Sequence, residues 1–198
     1  MDVPKLLEAA SLLIPEEIAT ESDITVNDVW DYLTHDEWEV ALGLLEELGD
    51  VHPLPLSFWE TLAAAAEQMH LENSAAWCHW RCYETRNGII RADLTLRSAA
   101  EARRRTPISG AGVLRPMWSI GNRIPTGEPT LDIARLWVEF TPLLEPGGRS
   151  PVRLAPLVPS RWQHLQPGQV ITMHEDRSVA GTAIVLEVHR PPVNAPNA

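Results

Sequence analysis

The stretch from Trp162 to Val188 constrains this chain more than any other. Pro167-Gly168 marks a turn. Val170, Ile171 and Met173 form a short β-prone run, His174 to Ser178 a polar turn, and Val179 to Val188 a second β-rich run. Two such runs across a polar turn read as a β-hairpin, with Gly181 placed for a bulge or a close backbone approach. A hairpin alone is at best marginally stable in water, so other strands must complete a sheet around it. Gly112–Ile120, Asp132–Phe140 and Pro151–Val158 supply them, as β-prone runs punctuated by proline and glycine. Runs of this length and spacing predict a small β-barrel or sandwich. Leu136, Val138 and Phe140 alternate onto one face, and Trp137 and Glu139 onto the other.

The first part of the chain follows a different period. Pro4 to Ala10 predicts a short helix, and Asp23 or Thr25 can cap a segment from Val26 to Tyr32 that ends near Thr34. Thr34-His35-Asp36-Glu37 has the form of a capping box, with Thr34 as N-cap of a helix over His35–Leu48. Trp38, Ala41, Leu42, Leu45 and Leu48 share one face of that helix, and Gly49 is placed as its C-cap. Ser57 with Glu60 reads as a second capping box, opening a helix whose apolar face is Phe58, Leu62, Ala65, Ala66 and Met69. A third helix begins at Ser74 and stops at Asn87-Gly88. Short loops make these helices antiparallel neighbours in a small bundle.

Ile89 to Leu96 reads as a strand leaving the bundle, and Ser98 to Arg105 as an Arg-rich connector. The expected fold is therefore α+β. It has a helical domain over 1–97, a linker over 98–110, a small closed β-barrel over 111–190, and a disordered Pro/Asn-rich tail over 191–198.

Charge is divided unevenly along the chain. Residues 1–80 hold one base, Lys5, against seventeen acids, and residues 81–198 hold fifteen bases against ten acids. An acidic first part argues against nucleic-acid binding there, since phosphate contacts need Lys or Arg. It forms either a solvated surface or an attractor for a basic partner. Arg103-Arg104-Arg105 is shorter than the basic runs that read as nucleic-acid patches.

Lys5 is the only lysine, so there is no P-loop, no kinase-type strand lysine and no Schiff-base candidate away from the N-terminus. Ser160 and Ser178 lie in no Gly-x-Ser-x-Gly elbow. No apolar run reaches the ~20 residues of a membrane span, and the first residues lack a signal peptide's basic start. These features predict a non-enzymatic cytoplasmic protein without a cofactor.

Three constellations bear on chemistry or binding. Cys78 and Cys82 lie one helical turn apart, as two metal ligands would, but no second pair exists, and buried thiols are the plainer reading. His164, His174 and Glu175 would suit acid–base work only if one pocket gathered them. Of the eight tryptophans, Trp38, Trp59, Trp77 and Trp80 fit a helical core, while Trp137 alternates outward, where an aromatic anchor would meet either a partner or the helical domain.

The series Ala134–Phe140, Gly147-Gly148-Arg149, Pro151–Leu154, Leu165–Gly168 and Ile171–Val188 resembles the C-terminal β-barrel of elongation factor Tu. That resemblance spans about the last 80 residues of the chain. It implies a six-stranded closed barrel of translation-factor type, used as a binding surface for protein or RNA. It carries no GTPase activity, because the P-loop and Asn-Lys-x-Asp are missing. As a whole the chain resembles uncharacterised actinobacterial proteins that pair a Trp-rich helical domain with such a barrel.

Two functions follow as expectations. The leading one is an interaction protein of the immunity or inhibitor kind, docking a basic protein through Asp36, Glu39, Glu46 and Glu47. The alternative is a translation-associated protein using the barrel, with Arg149, Arg153 or Arg161 sensitive to change; Trp137, His174 and Glu175 complete the candidate interaction surface.

Overall fold

A computed structural model describes residues 2–102, 104–176 and 178–190. The chain divides into two units, 1–85 and 86–198.

The first unit contains α1 (Val3–Ser11), α2 (Val26–Thr34), α3 (Trp38–Val51), α4 (Leu56–Gln68) and most of α5 (Glu72–Asn87). Leu6, Leu7 and Ala10 of α1 join Val29, Leu42, Leu45, Leu48, Phe58, Trp59 and Leu62 in one core. The first helix is therefore a full member of the bundle. Thr25 opens α2: its backbone N–H and its hydroxyl both donate to Asp28 Oδ2, at 2.7 and 2.9 Å. Those bonds hold the Asp28 carboxyl below its ordinary range.

Three expected caps are corrected. Thr34 does not start a helix; it is the last residue of α2. Asp36 sits in the left-handed region at φ 58°. The Glu37 N–H reaches the Tyr32 carbonyl at 3.0 Å and the Asp36 N–H the Leu33 carbonyl at 3.3 Å. This is a Schellman closure, with aspartate where glycine is usual. A capping box and a helix stop draw on the same polar residues, and here the stop forms. Ser57 lies inside α4, because Pro55, extended at ψ 157°, is its N-cap. Gly49 lies inside α3, buried against Trp59.

The second unit holds β1 (Ile89–Leu96), β2 (Ile108–Ser109), β3 (Met117–Ser119), β4 (Asp132–Val138), β5 (Leu143–Leu144), β6 (Arg149–Pro156), a 3-10 turn (Pro159–Trp162), β7 (Val170–Glu175) and β8 (Ser178–His189). Six strands close a barrel in the order β1-β6-β4-β3-β7-β8, with β8 returning to β1. Every pairing is antiparallel. Ile90, Ala92, Leu94, Leu136, Leu154, Ile171, Met173 and Val185 fill the interior with Trp118 and Trp162.

The boundary expected at 97 is corrected by this topology. β1 is the barrel's first strand, and Ile108, read as linker, is 1% exposed within the barrel core. The tail expected over 191–198 lies outside the described residues.

The hairpin β7–β8 forms as read, with Gly168 at φ 86° in its approach turn. The bulge falls at Ala180, since Met173 pairs with Gly181 but His174 pairs with Val179. Gly181 makes the close approach: a Cβ there would lie 2.9 Å from the Thr95 carbonyl oxygen of β1. Phe140 departs from its expected face. The strand ends at Val138, Phe140 turns at φ 62°, and the residue is 89% exposed.

Candidate functional site

The charged side chains distribute differently on the two units. In the helical unit, Glu16, Glu17, Glu21, Asp23, Asp31, Asp36, Glu37, Glu39, Glu47 and Glu72 are all exposed. Among the described residues none of these ten has a cationic partner. Four of them, Asp31, Asp36, Glu37 and Glu39, lie along the α2–α3 turn, where Tyr32 and Val40 are also exposed.

Glu46 is the exception among the four acids expected on this surface. It is half-buried, accepts a hydrogen bond from the Cys78 thiol at 3.5 Å, and also bonds Ser74. Burial pushes its carboxyl up, against those hydrogen bonds, and burial together with the Glu46 charge pushes the Cys78 thiol up. A thiol so held is biased toward its protonated form, away from the thiolate that acts as nucleophile. Cys78 and Cys82 are both buried and free. No group of three or more His, Cys, Asp or Glu able to hold a metal ion occurs among the described residues.

A carboxylate raised by burial favours the protonated native state. Its cost to stability is therefore present at neutral pH and is relieved as pH falls toward the ordinary glutamate value of about 4.3. Glu46→Gln removes the charge and keeps an acceptor for Cys78. Its urea midpoint is expected above that of the unchanged chain at pH 7, with the difference closing by about pH 4. A lower midpoint at pH 7 would show that the charge itself stabilises the bundle.

Arg81 of α5 gathers three helices of the same unit. Its guanidinium pairs with Asp50, donates to the Gly49 carbonyl at 3.1 Å, and lies 4.2 Å from the centre of the Trp59 ring. Trp77 is also within cation–π reach at 5.3 Å. The positive group stands at the C-terminal end of α3, where the helix dipole favours it.

On the barrel, the arginines expected to meet a partner already face carboxylates. Arg149 pairs with Asp93, holding that carboxyl below its ordinary range through hydrogen bonds. Arg161 pairs with Asp132 at 2.7 Å. Arg153 reaches Glu139 at 2.7 Å, and Arg91 clasps the same carboxylate through two bonds of 2.9 Å while also holding Glu187 at 2.8 Å. Trp137 is half-buried on the same outward row, paired in register with Arg153. Of the three adjacent arginines in the connector, Arg104 pairs with Glu175, and Arg103 lies outside the described residues.

The candidate acid–base residues have separate hydrogen-bond or ion-pair partners. His164 Nε2 donates to the Ile120 carbonyl at 2.8 Å. His174 Nε2 shares a 2.9 Å bond with the Thr172 hydroxyl, and burial lowers its pKa. Neither histidine nor Glu175 lines the barrel's cleft, which is formed instead by Asn87–Ile90, Pro156, Pro159, Trp162, Gln163 and Val188–Arg190.

No protein-family model and no curated protein matches the chain. No helix among the described residues is long and apolar enough to cross a membrane.

The acids that pair with these barrel arginines are not evident from the sequence. Asp93, Glu139 and Asp132 are far from their arginines along the chain: strand pairing brings the first two to Arg149 and to Arg91 and Arg153, and the 3-10 turn after β6 brings Arg161 to Asp132. Outward alternation of Glu139 with Trp137 was visible, but its two guanidinium partners were not.

Proposed function

We propose that this chain is a non-enzymatic protein-interaction protein whose acidic helical unit docks a basic protein, as an immunity or inhibitor protein covers a toxin. One observation supports the reading: Arg91, Arg149, Arg153 and Arg161 of the barrel face carboxylates, while among the described residues the ten exposed acids named above, Asp31, Asp36, Glu37 and Glu39 among them, have no cationic partner. An uncompensated field of one sign raises the encounter rate with a partner of the other. Tyr32 and Val40 beside Asp36, Glu37 and Glu39 add apolar area for a stable contact.

A second reading rests on the closed six-stranded barrel, taken as translation-factor type and used on protein or RNA without GTPase activity. Fold alone supports it. The pairing of Arg149, Arg153 and Arg161 with acids weighs against a phosphate-tracking surface.

The test is capture by the full-length chain at about 0.1 M and about 1 M salt, which shortens the screening length from about 10 Å to about 3 Å. A basic protein should be held at the lower salt and lost at the higher. The triple change Asp36→Asn, Glu37→Gln, Glu39→Gln should lose it at both, and Arg149→Gln should retain it. Ribosomal or elongation-factor peptides with nuclease-sensitive RNA, retained by the triple variant, would move the function to the barrel.

A further inference from the structure

The barrel has a cleft of about 460 Å³ at the end where β1 begins and β6 and β8 finish. That volume lies in the range of small-molecule sites, about 300–1,000 Å³. Its walls are apolar: Ile89, Ile90, Pro156, Pro159, Trp162 and Val188. Ile89, Ile90 and Trp162 are almost fully buried, so they form a fixed floor. The polar lining is confined to Asn87, Gln163, His189 and Arg190. No carboxylate lines it. The nearest acid in sequence, Glu187, is engaged by Arg91 and by His189 at 2.7 Å. Among the described residues Arg190 has no ion-pair partner, in contrast to Arg91, Arg149, Arg153 and Arg161.

We infer that this cleft is a binding site for a small amphipathic acid: an apolar body seated on Ile89, Ile90 and Trp162, with its anionic group toward Arg190. The rest of the lining fits that class. Amides from Asn87 and Gln163 donate as well as accept, and a cation without a competing carboxylate favours an anion over a cation or a neutral hydrocarbon. An apolar pocket with a few convergent polar groups is the usual form of such a site. The site is independent of the acidic surface on the helical unit, so it stands or falls separately from that reading.

The probe is 1-naphthylacetate, titrated into the full-length chain by calorimetry, with its neutral analogue 1-naphthaleneethanol as control. One saturable site is expected for the acid. Arg190→Gln should weaken the acid about tenfold, the usual order for losing a hydrogen bond to a charged group, and leave the alcohol unchanged. Gln163→Trp, at an exposed position on the cleft's edge, should abolish both. Thermal unfolding confirms that each variant is folded, and Arg190→Gln carries the test alone if Gln163→Trp is not. Absence of saturable binding overturns the site. Binding insensitive to both substitutions places the probe elsewhere and overturns it equally. Loss with Gln163→Trp but equal affinity with Arg190→Gln overturns the assignment to acids.

Discussion

Glu139→Ala is expected to cost the barrel about 3–5 kcal/mol, the usual penalty for removing one partner of a buried ion pair. The Glu139 side chain is 5% exposed and is shared by Arg91, 24% exposed, and Arg153, 11% exposed. Its loss leaves one guanidinium with only Glu187 and strips the other of this carboxylate in a half-dry setting. Against a typical domain stability of about 5–15 kcal/mol, that change removes a large share of the barrel's margin. Urea unfolding should show a large drop in midpoint. Glu139→Gln, which keeps two polar atoms in place, should cost less. Replacing Arg91, Glu139 and Arg153 together by methionine should recover much of the loss, because the desolvation of three charges disappears with their attraction. A single-alanine cost below about 1 kcal/mol would mean that the cluster behaves as a solvated surface pair.

Gly49→Ala is expected to destabilise the helical unit, against the usual preference of helices for alanine. In an open helical position the change gains about 0.5–1 kcal/mol. At Gly49 the new methyl carbon would lie 2.5 Å from Cη2 of Trp59, 2.7 Å from Cζ2 and 2.9 Å from Cε1 of Phe58. Both rings are buried and stand edge to face at 5.0 Å, so neither can turn aside freely. Overpacking of this kind costs about 1–3 kcal/mol. The same move would shift Trp59 from beneath the Arg81 guanidinium. Gly43, in the same helix with nothing within 4 Å of its added Cβ, is the internal control. Gly43→Ala should raise the thermal midpoint and Gly49→Ala lower it. Equal shifts for both would mean that the Trp59 contact yields without strain.

The periodicities were legible where each signal had one physical meaning. Period-three-and-four spacing found Ala41, Leu42, Leu45 and Leu48, all of which are buried, and alternation found Leu136 and Val138. Local punctuation was less informative, because the same residues serve opposite ends of a helix. Thr34 to Glu37 carries the letters of a start, yet the left-handed Asp36 makes it a stop. Phe140 continues an alternation that the backbone abandons one residue earlier. The charges of the candidate surface were legible as composition, but whether each was compensated depended on register between distant strands. The cleft was not legible at all: it draws on residues around 88, 156, 162 and 189, which no linear motif unites.

Closure of the barrel by β1 and β8 also fixes an order of events during synthesis. Ile90 pairs with Val188 and Leu94 with Ala183, so the first barrel strand to leave the ribosome waits for the last. The bundle's contacts lie within residues 1–85 and can form while the barrel is still emerging. Until residues 178–189 arrive, β1 and β7 each present an open hydrogen-bonding edge. The highly charged, early-folding bundle is thus tethered to the nascent barrel during its most aggregation-prone interval, and its net negative charge works to keep neighbouring chains apart.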